Sequence, residues 1–221
     1  MKRAVLCVAA VAALSLSGCL EPFRAQVEPS ALRPGWTVKE GPEETHGAFG
    51  PNKVDVEYKF ETSGGPPYPG HLLVVSLRQA GGFTSEELDA AAQDFLDAAA
   101  KGLTLARDKS LEGERFLRNG LHTHWFVREG TVVSSTANPI FKQDATVRLI
   151  AEVGYDGLSG TAVAAVGEAQ IGSGVQCALI GPCSSPQSDL TTWNRMVGDR
   201  AGSIGKATDD KGMIDHLVTH G

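Results

Sequence analysis

The sequence has one clear helix pattern, and most other segments have strand and turn patterns. The small share of helix relative to strand limits the possible folds more than any other feature. Residues 84–87 form a capping box, in which the Thr84 hydroxyl accepts from the Glu87 amide and the Glu87 carboxylate accepts from the Thr84 amide. Apolar residues then recur at helical spacing on one face: Leu88, Ala92, Phe95 and Ala99. The sequence therefore predicts one long helix over about 84–101, packed on a sheet through a narrow apolar stripe.

Strand patterns lie on both sides of this helix. Residues 54–60 alternate between apolar and polar side chains, which is typical of a half-buried strand, and residues 72–77 form an apolar run expected of a central strand. The Asn119-Gly120 pair predicts a tight hairpin, and Glu129-Gly130 predicts another turn. Further strands are predicted at 103–106, 114–117, 121–128, 131–135, 146–153 and 161–171, of which the last also fits a small helix.

Helical patterns return towards the C-terminal end. Asp189 is the expected cap of a helix that runs to Val197, and residues 210–218 are predicted to form a last short helix. Strands, one long helix, further strands in hairpins and then short helices together predict an α+β fold with a mainly antiparallel sheet.

The first 19 residues predict export. A positive start at Lys2 and Arg3 precedes an uncharged apolar run over 4–16, which is shorter than the roughly 20 residues that span a bilayer. The ending Leu16-Ser17-Gly18-Cys19 resembles the lipobox of prokaryotic lipoprotein precursors. The resemblance implies cleavage before Cys19 and a diacylglycerol group on its thiol, so that palmitate is an expected modification. The alternative is an ordinary secretory signal with a chance cysteine.

The resulting domain organisation has three parts. A signal peptide is expected over 1–18, the lipidated Cys19 with an extended tether over 19–51, and a single α+β domain over 52–221. The tether is expected because residues 21–51 contain five prolines and no apolar periodicity, and part of it is expected to lie along the domain through Trp36 and Phe49. We expect an exported, extracytoplasmic protein of the cell envelope that is anchored to a membrane by its lipid.

The charge of the chain limits its partners. Loss of Lys2 and Arg3 with the signal peptide would change the formal net charge from −6 to −8. Such an acidic chain argues against nucleic acid, because phosphates require clustered lysines and arginines. The expected partners are the membrane, through the lipid on Cys19, and an envelope protein or a small ligand. No cofactor is expected.

Two cysteines remain after processing, Cys177 and Cys183. Because an exported protein lies in an oxidising compartment, an even pair predicts a disulfide. Gly181 and Pro182 lie between the two cysteines and suit a tight loop. A metal site is the weaker alternative, since two thiolates would need two further ligands.

Four histidines are the candidate metal ligands. His122 and His124 are two apart on a strand and share a face, and His216 and His220 share a face if the tail is helical. Together they predict a zinc site and, as an alternative function, a metal-dependent hydrolase. The competing interpretation places His122 and His124 on the solvent face of the sheet. The residues that alternate with them along the strand, beginning at Leu121, are more apolar and are therefore expected to face the core. A non-enzymatic binding or accessory module is the leading hypothesis, since the sequence has no nucleophile, phosphate-loop or acid–base motif.

Overall fold

One large antiparallel sheet organises the protein in the computed structural model, which describes residues 25–47, 50–60, 70–77, 82–135, 141–177, 181–182, 187–188, 190–198 and 212–219. The strands in chain order are β1 (Gln26–Val27), β2 (Trp36–Gly47), β3 (Gly50–Phe60), β4 (His71–Leu77), β5 (Thr104–Phe116), β6 (His122–Ser135), β7 (Phe141–Asp156), β8 (Thr161–Cys177), β9 (Gly181–Pro182), β10 (Gln187–Ser188) and β11 (Leu217–Val218). The helices are α1 (Ser85–Ala99) and α2 (Thr191–Val197), with 3₁₀ turns at Pro29–Ala31 and Ile214–His216.

The strand order of the large sheet is β2-β3-β4-β8-β7-β6-β5, and β9 and β10 pair with β8. Every described strand pairing is antiparallel. After β4 the chain forms α1, continues to the far edge at β5, and returns strand by strand to place β8 beside β4. The prediction of a mainly antiparallel sheet accompanied by helices is confirmed.

The sheet is buried on both faces. β4 shows this directly, because Leu72 and Val74 belong to one apolar cluster while Val75 and Leu77 belong to the other. This explains why the strand has a continuous apolar sequence rather than an alternating one. One face packs against the buried side chains of α1: Leu88, Ala92 and Leu96.

The opposite face packs against α2 and against the first and last described segments of the chain. α2 contributes Trp193 and Met196, and the C-terminal segment contributes Ile214 and Leu217, all of them buried. β1 and β11 pair with one another above this face as a separate two-stranded ribbon. Within the described ranges, none of the helices has both the length and the apolar content needed to cross a bilayer.

The helix predictions are corrected in length. α1 has 15 residues, from Ser85 to Ala99, and is therefore shorter than the long helix expected over 84–101. The helix expected over 210–218 is replaced by the 3₁₀ turn Ile214–His216 and by β11. The C-terminal segment is extended there because it pairs with β1.

Two strand boundaries also differ from the prediction. The strands expected at 103–106 and 114–117 are one strand, β5, with an irregular register between Leu105 and Ser110. The turn expected at Glu129-Gly130 is absent, because both residues lie within β6 and pair with β7.

The expected tether over 19–51 is partly folded into the domain. Ala25, Val27 and Trp36 are buried in the core. The Ala25 amide donates to Ser76 Oγ at 2.7 Å, and the Val27 amide donates to Tyr58 Oη at 2.9 Å. The folded unit therefore begins no later than Ala25, rather than at residue 52, and Cys19 lies outside the described residues.

Candidate functional site

A pocket of about 210 Å³ opens between the N-terminal end of α1 and the neighbouring ends of β6 and β7. It combines charged or titratable side chains with apolar and aromatic ones, and it is smaller than the ~300–1,000 Å³ of most small-molecule sites. Its lining residues are Phe83, Ser85, Leu88, Asp89, His122, His124, Val153, Gly154 and Tyr155.

The start of α1 is fixed by the capping box that the sequence predicts. The Glu87 amide donates to Thr84 Oγ1 at 3.2 Å, and the Thr84 amide donates to Glu87 Oε2 at 2.9 Å. These two bonds satisfy amides that would otherwise lack a helical partner. The cap thereby sets where Asp89 meets the sheet.

The histidines are placed by the β5–β6 hairpin, which turns at Asn119-Gly120 as predicted. Gly120 has φ +85°, and Asn119 Oδ1 accepts from the Leu121 amide at 3.0 Å. The register then sets His124 directly opposite Glu114. Glu114 therefore shares a face with both histidines, a placement that only the register of the hairpin gives.

Three donor groups converge at this point. His122 Nε2 lies 3.2 Å from Glu114 Oε2, and His124 Nε2 lies 3.1 Å from Glu114 Oε1. One donor atom from each of the three residues lies within 4.8 Å of the other two. The second ring nitrogen of His124, Nδ1, lies 3.0 Å from Asp89 Oδ1 on α1. His122 is 46% exposed at its side chain and His124 is 26% exposed, so the cluster is open to solvent.

The face that carries the histidines contacts α1 from His124 onwards, where His124 Nδ1 meets Asp89. Further along β6, Arg128 hydrogen-bonds to Asp97 and Gln93 of the helix. The interpretation that His122 and His124 lie on the solvent face agrees with the exposure of His122, whereas His124 is partly covered where α1 begins. The opposite face of β6, which contains Thr123 and Val127, is buried as the alternation predicts.

The structure does not bring His216 to the other two histidines. His216 Nδ1 lies 3.3 Å from Arg118 Nη1 and 3.6 Å from Glu28 Oε2. Its neighbour Asp215 pairs with Arg115. Arg115 lies opposite Thr123 in the sheet, and Thr123 is on the face of β6 that does not carry His122 and His124. His220 lies outside the described residues. Of the four predicted ligands, the described structure unites His122 and His124 and adds Glu114.

Comparison with protein-family models, with curated proteins and with solved structures finds no match. Two imidazoles and a carboxylate suit a borderline transition metal, and the adjoining pocket leaves room for a bound ligand.

A second pocket, of about 230 Å³, lies around Arg118, Glu28 and the C-terminal segment. A hydrogen bond from Ser30 lowers the pKa of the Glu28 carboxyl, and His216 and Arg118 lower it further. Asn119 Nδ2 donates to the Leu217 carbonyl at 3.1 Å. These polar groups fasten the C-terminal segment to the hairpin, so this pocket is the weaker candidate for a ligand.

The cysteines that are predicted to be modified lie at the end of a described range or outside the described residues. Cys177 is the last residue of β8, and its backbone is paired with Gly181 of β9. Cys183 and Cys19 lie outside the described residues. The disulfide and the lipid attachment therefore stay predictions from the sequence.

Proposed function

We propose that this protein is a lipid-anchored, extracytoplasmic component of the cell envelope whose domain is a non-enzymatic binding or accessory module. The lipobox-like ending at Cys19 supports the anchor. Two acyl chains hold a protein stably at a bilayer, so a diacyl modification suffices without a basic patch on this acidic chain.

The observation that carries the binding role is the pocket between α1 and the β6–β7 ends. Phe83 and Tyr155, whose ring centroids are 6.3 Å apart, give it an aromatic side, and Asp89, His122 and His124 give it a polar side. A small ligand with an apolar body and a polar group fits such a pocket. An envelope protein is the other class of partner that the proposed location allows.

The anchor is tested by Cys19→Ala in the full chain, followed by membrane fractionation and labelling with palmitate. We expect the wild-type protein in the membrane fraction with label, and the variant without label and released from the membrane. Cys7→Ala is the matched control, since Cys7 lies within the expected signal peptide and should leave anchoring unchanged. Membrane retention of the Cys19→Ala variant would contradict the proposed anchor.

The binding role is tested by native mass spectrometry of the protein purified from its own membrane. We expect a bound mass that disappears in Ser85→Trp, because the indole would fill the pocket. Glu86→Trp is the matched control, since Glu86 is exposed in the same turn of α1 and does not line the pocket. A wild-type protein without bound mass, together with a protein partner recovered by cross-linking, would favour the accessory role instead.

Metal-dependent hydrolysis is the second candidate, and the convergence of His122, His124 and Glu114 favours it. A hydrolytic zinc site needs three protein ligands and an open position for water, and this set supplies three ligands beside a pocket. Hydrolysis of a generic ester that is abolished by a chelator and by His124→Ala would support this candidate. Activity that survives both treatments would contradict it.

A further inference from the structure

His124 lies between two carboxylates, one at each ring nitrogen. Its Nδ1 lies 3.0 Å from Asp89 Oδ1, and its Nε2 lies 3.1 Å from Glu114 Oε1. An ionised carboxylate only accepts hydrogen bonds, and a neutral imidazole has a proton on one nitrogen only. With that proton directed to Asp89, the Nε2 lone pair faces a carboxylate oxygen. Such a contact is repulsive unless a positive charge lies there, either a second ring proton or a metal ion.

The geometry around this contact fits a metal ion. Tetrahedral zinc with bonds of about 2.0–2.1 Å separates its ligand atoms by roughly 3.3 Å. The nitrogen-to-oxygen separations at Glu114 are 3.2 Å, from His122 Nε2 to Oε2, and 3.1 Å, from His124 Nε2 to Oε1, so each ring meets a different oxygen of the carboxylate. A single ion beside this carboxylate would bind both Nε2 atoms at once. Without an ion, the same two contacts are hydrogen bonds in which each Nε2 has a proton, and His124 is then doubly protonated.

We propose that Glu114, His122 and His124 bind one divalent transition-metal ion of the zinc class, with Asp89 as the residue that orients His124. Two ring nitrogens and one oxygen favour zinc and its neighbours over calcium and magnesium, which take oxygen-rich sites. The Asp89 carboxylate fixes the proton of His124 on Nδ1 and directs Nε2 to the ion.

A metal ion held by these three residues would be open to solvent and to the pocket. His122 and His124 both line the pocket, and Glu114 is exposed at the edge strand β5. The metal would therefore bind the polar group of a pocket ligand, such as a carboxylate or an imidazole. This last step rests on the proposed binding role, whereas the metal site itself rests on the three donor groups alone.

The test is zinc binding by the purified full chain, stripped with a chelator, dialysed and titrated calorimetrically with Zn²⁺. We expect one site per chain in the wild-type protein. His122→Ala, His124→Ala and Glu114→Gln should each lower the affinity for Zn²⁺ by more than the ~10–100-fold loss that is typical of removing an outer partner. Asp89→Asn should give a loss within that ~10–100-fold range and keep the one-site stoichiometry.

His71→Ala is the matched control. His71 is also on a strand beside a carboxylate, with Nδ1 3.6 Å from Glu57 Oε1, but it belongs to no three-donor cluster among the described residues. It should bind Zn²⁺ as the wild-type protein does. Unchanged affinity in His122→Ala and His124→Ala, or an equal loss in His71→Ala, would overturn the metal site. Circular dichroism of each variant separates a lost ligand from a lost fold.

Different experimental results would contradict the metal site and the binding role. Absence of zinc binding, with a bound mass that is still lost in Ser85→Trp, would remove the metal site and leave the binding module. One zinc per chain without any bound mass would support the metal site and remove the small-ligand role.

Discussion

The Arg115 guanidinium and the Glu152 carboxylate form a buried bidentate pair, with 2.7 Å from Nε to Oε1 and 2.6 Å from Nη2 to Oε2. The same guanidinium donates through Nη1 to Asp215 Oδ1 at 3.1 Å, and Thr123 Oγ1 donates to Glu152 Oε1 at 2.6 Å. The side chains of Glu152 and Asp215 are each 1% exposed. Arg115 therefore connects the edge strand β5, the central strand β7 and the C-terminal segment in one polar network inside the apolar core.

Arg115→Met should strongly destabilise the protein. The substitution leaves the Glu152 and Asp215 carboxylates buried without their guanidinium, and breaking a buried ion pair in this way typically costs about 3–5 kcal/mol of unfolding free energy. Equilibrium unfolding in urea measures the change. Arg128→Met is the control, because its partner Asp97 is largely exposed and such pairs contribute about 1 kcal/mol or less.

A double-mutant cycle isolates the pair itself. Adding Glu152→Met to Arg115→Met should recover part of the lost stability, because the second substitution removes a buried charge that has lost its partner. An Arg115→Met variant as stable as the Arg128→Met control would contradict the structural role assigned to this network.

The sequence predicts those elements whose cause is local. The capping box at Thr84 and the turn at Asn119-Gly120 depend on residues that are adjacent in the chain, and both are confirmed. Gly130 shows where local chemistry misleads. A Cβ at this position would lie 3.2 Å from Leu105 Cδ2, so the glycine gives β5 room to pack across β6 and makes no turn.

The candidate site depends on register, which local patterns do not carry. Glu114 joins His122 and His124 only because the hairpin places it opposite His124. Given the Asn119-Gly120 turn, counting outwards along both strands would have found it. Trp36 is a partial success, since the sequence predicts that the tether lies along the domain at this residue, but its full burial depends on tertiary packing.

Thr84→Ala should lower the unfolding free energy by about 1 kcal/mol, within the 0.5–2 kcal/mol typical of a lost N-cap. The Glu87 amide would lose its side-chain acceptor at the start of α1. Ser85→Ala is the control, because Ser85 is the first residue inside the helix and does not cap it. Urea unfolding of both variants measures the difference, and equal effects would argue against the cap.

Cys177 and Cys183 should form a disulfide in the exported protein. Cys177 pairs antiparallel with Gly181, which is two residues before Cys183 in the chain. Closing so short a loop should stabilise the fold by about 2 kcal/mol, the low end of the usual range. Peptide mapping without reduction checks the bond, and Cys177→Ser/Cys183→Ser should lose this stability and no longer respond to a reducing agent. Two free thiols in the exported protein would contradict the prediction.

Glu168 should make the protein less stable as the pH rises through the acidic range. Burial raises the pKa of this carboxyl above its ordinary value, and the nearby His71, its register partner on β4, opposes the shift only partly. A carboxyl with a raised folded pKa binds its proton more tightly in the folded state than in the unfolded chain. The stabilisation that this bound proton gives to the fold is therefore complete below the pKa of the unfolded chain. It is lost as the pH rises through the higher pKa of the folded state.

The measurement is the unfolding free energy of the wild-type protein and of Glu168→Gln between about pH 3 and pH 7, a range that spans ordinary carboxyl titration. The amide resembles the protonated carboxyl in shape, so the variant should gain stability over the wild-type protein as the pH rises. Glu86→Gln is the control, because Glu86 is exposed on α1. A difference between wild type and Glu168→Gln that stays constant across the range, or that follows the Glu86→Gln curve, would show that burial of Glu168 does not couple its proton to folding.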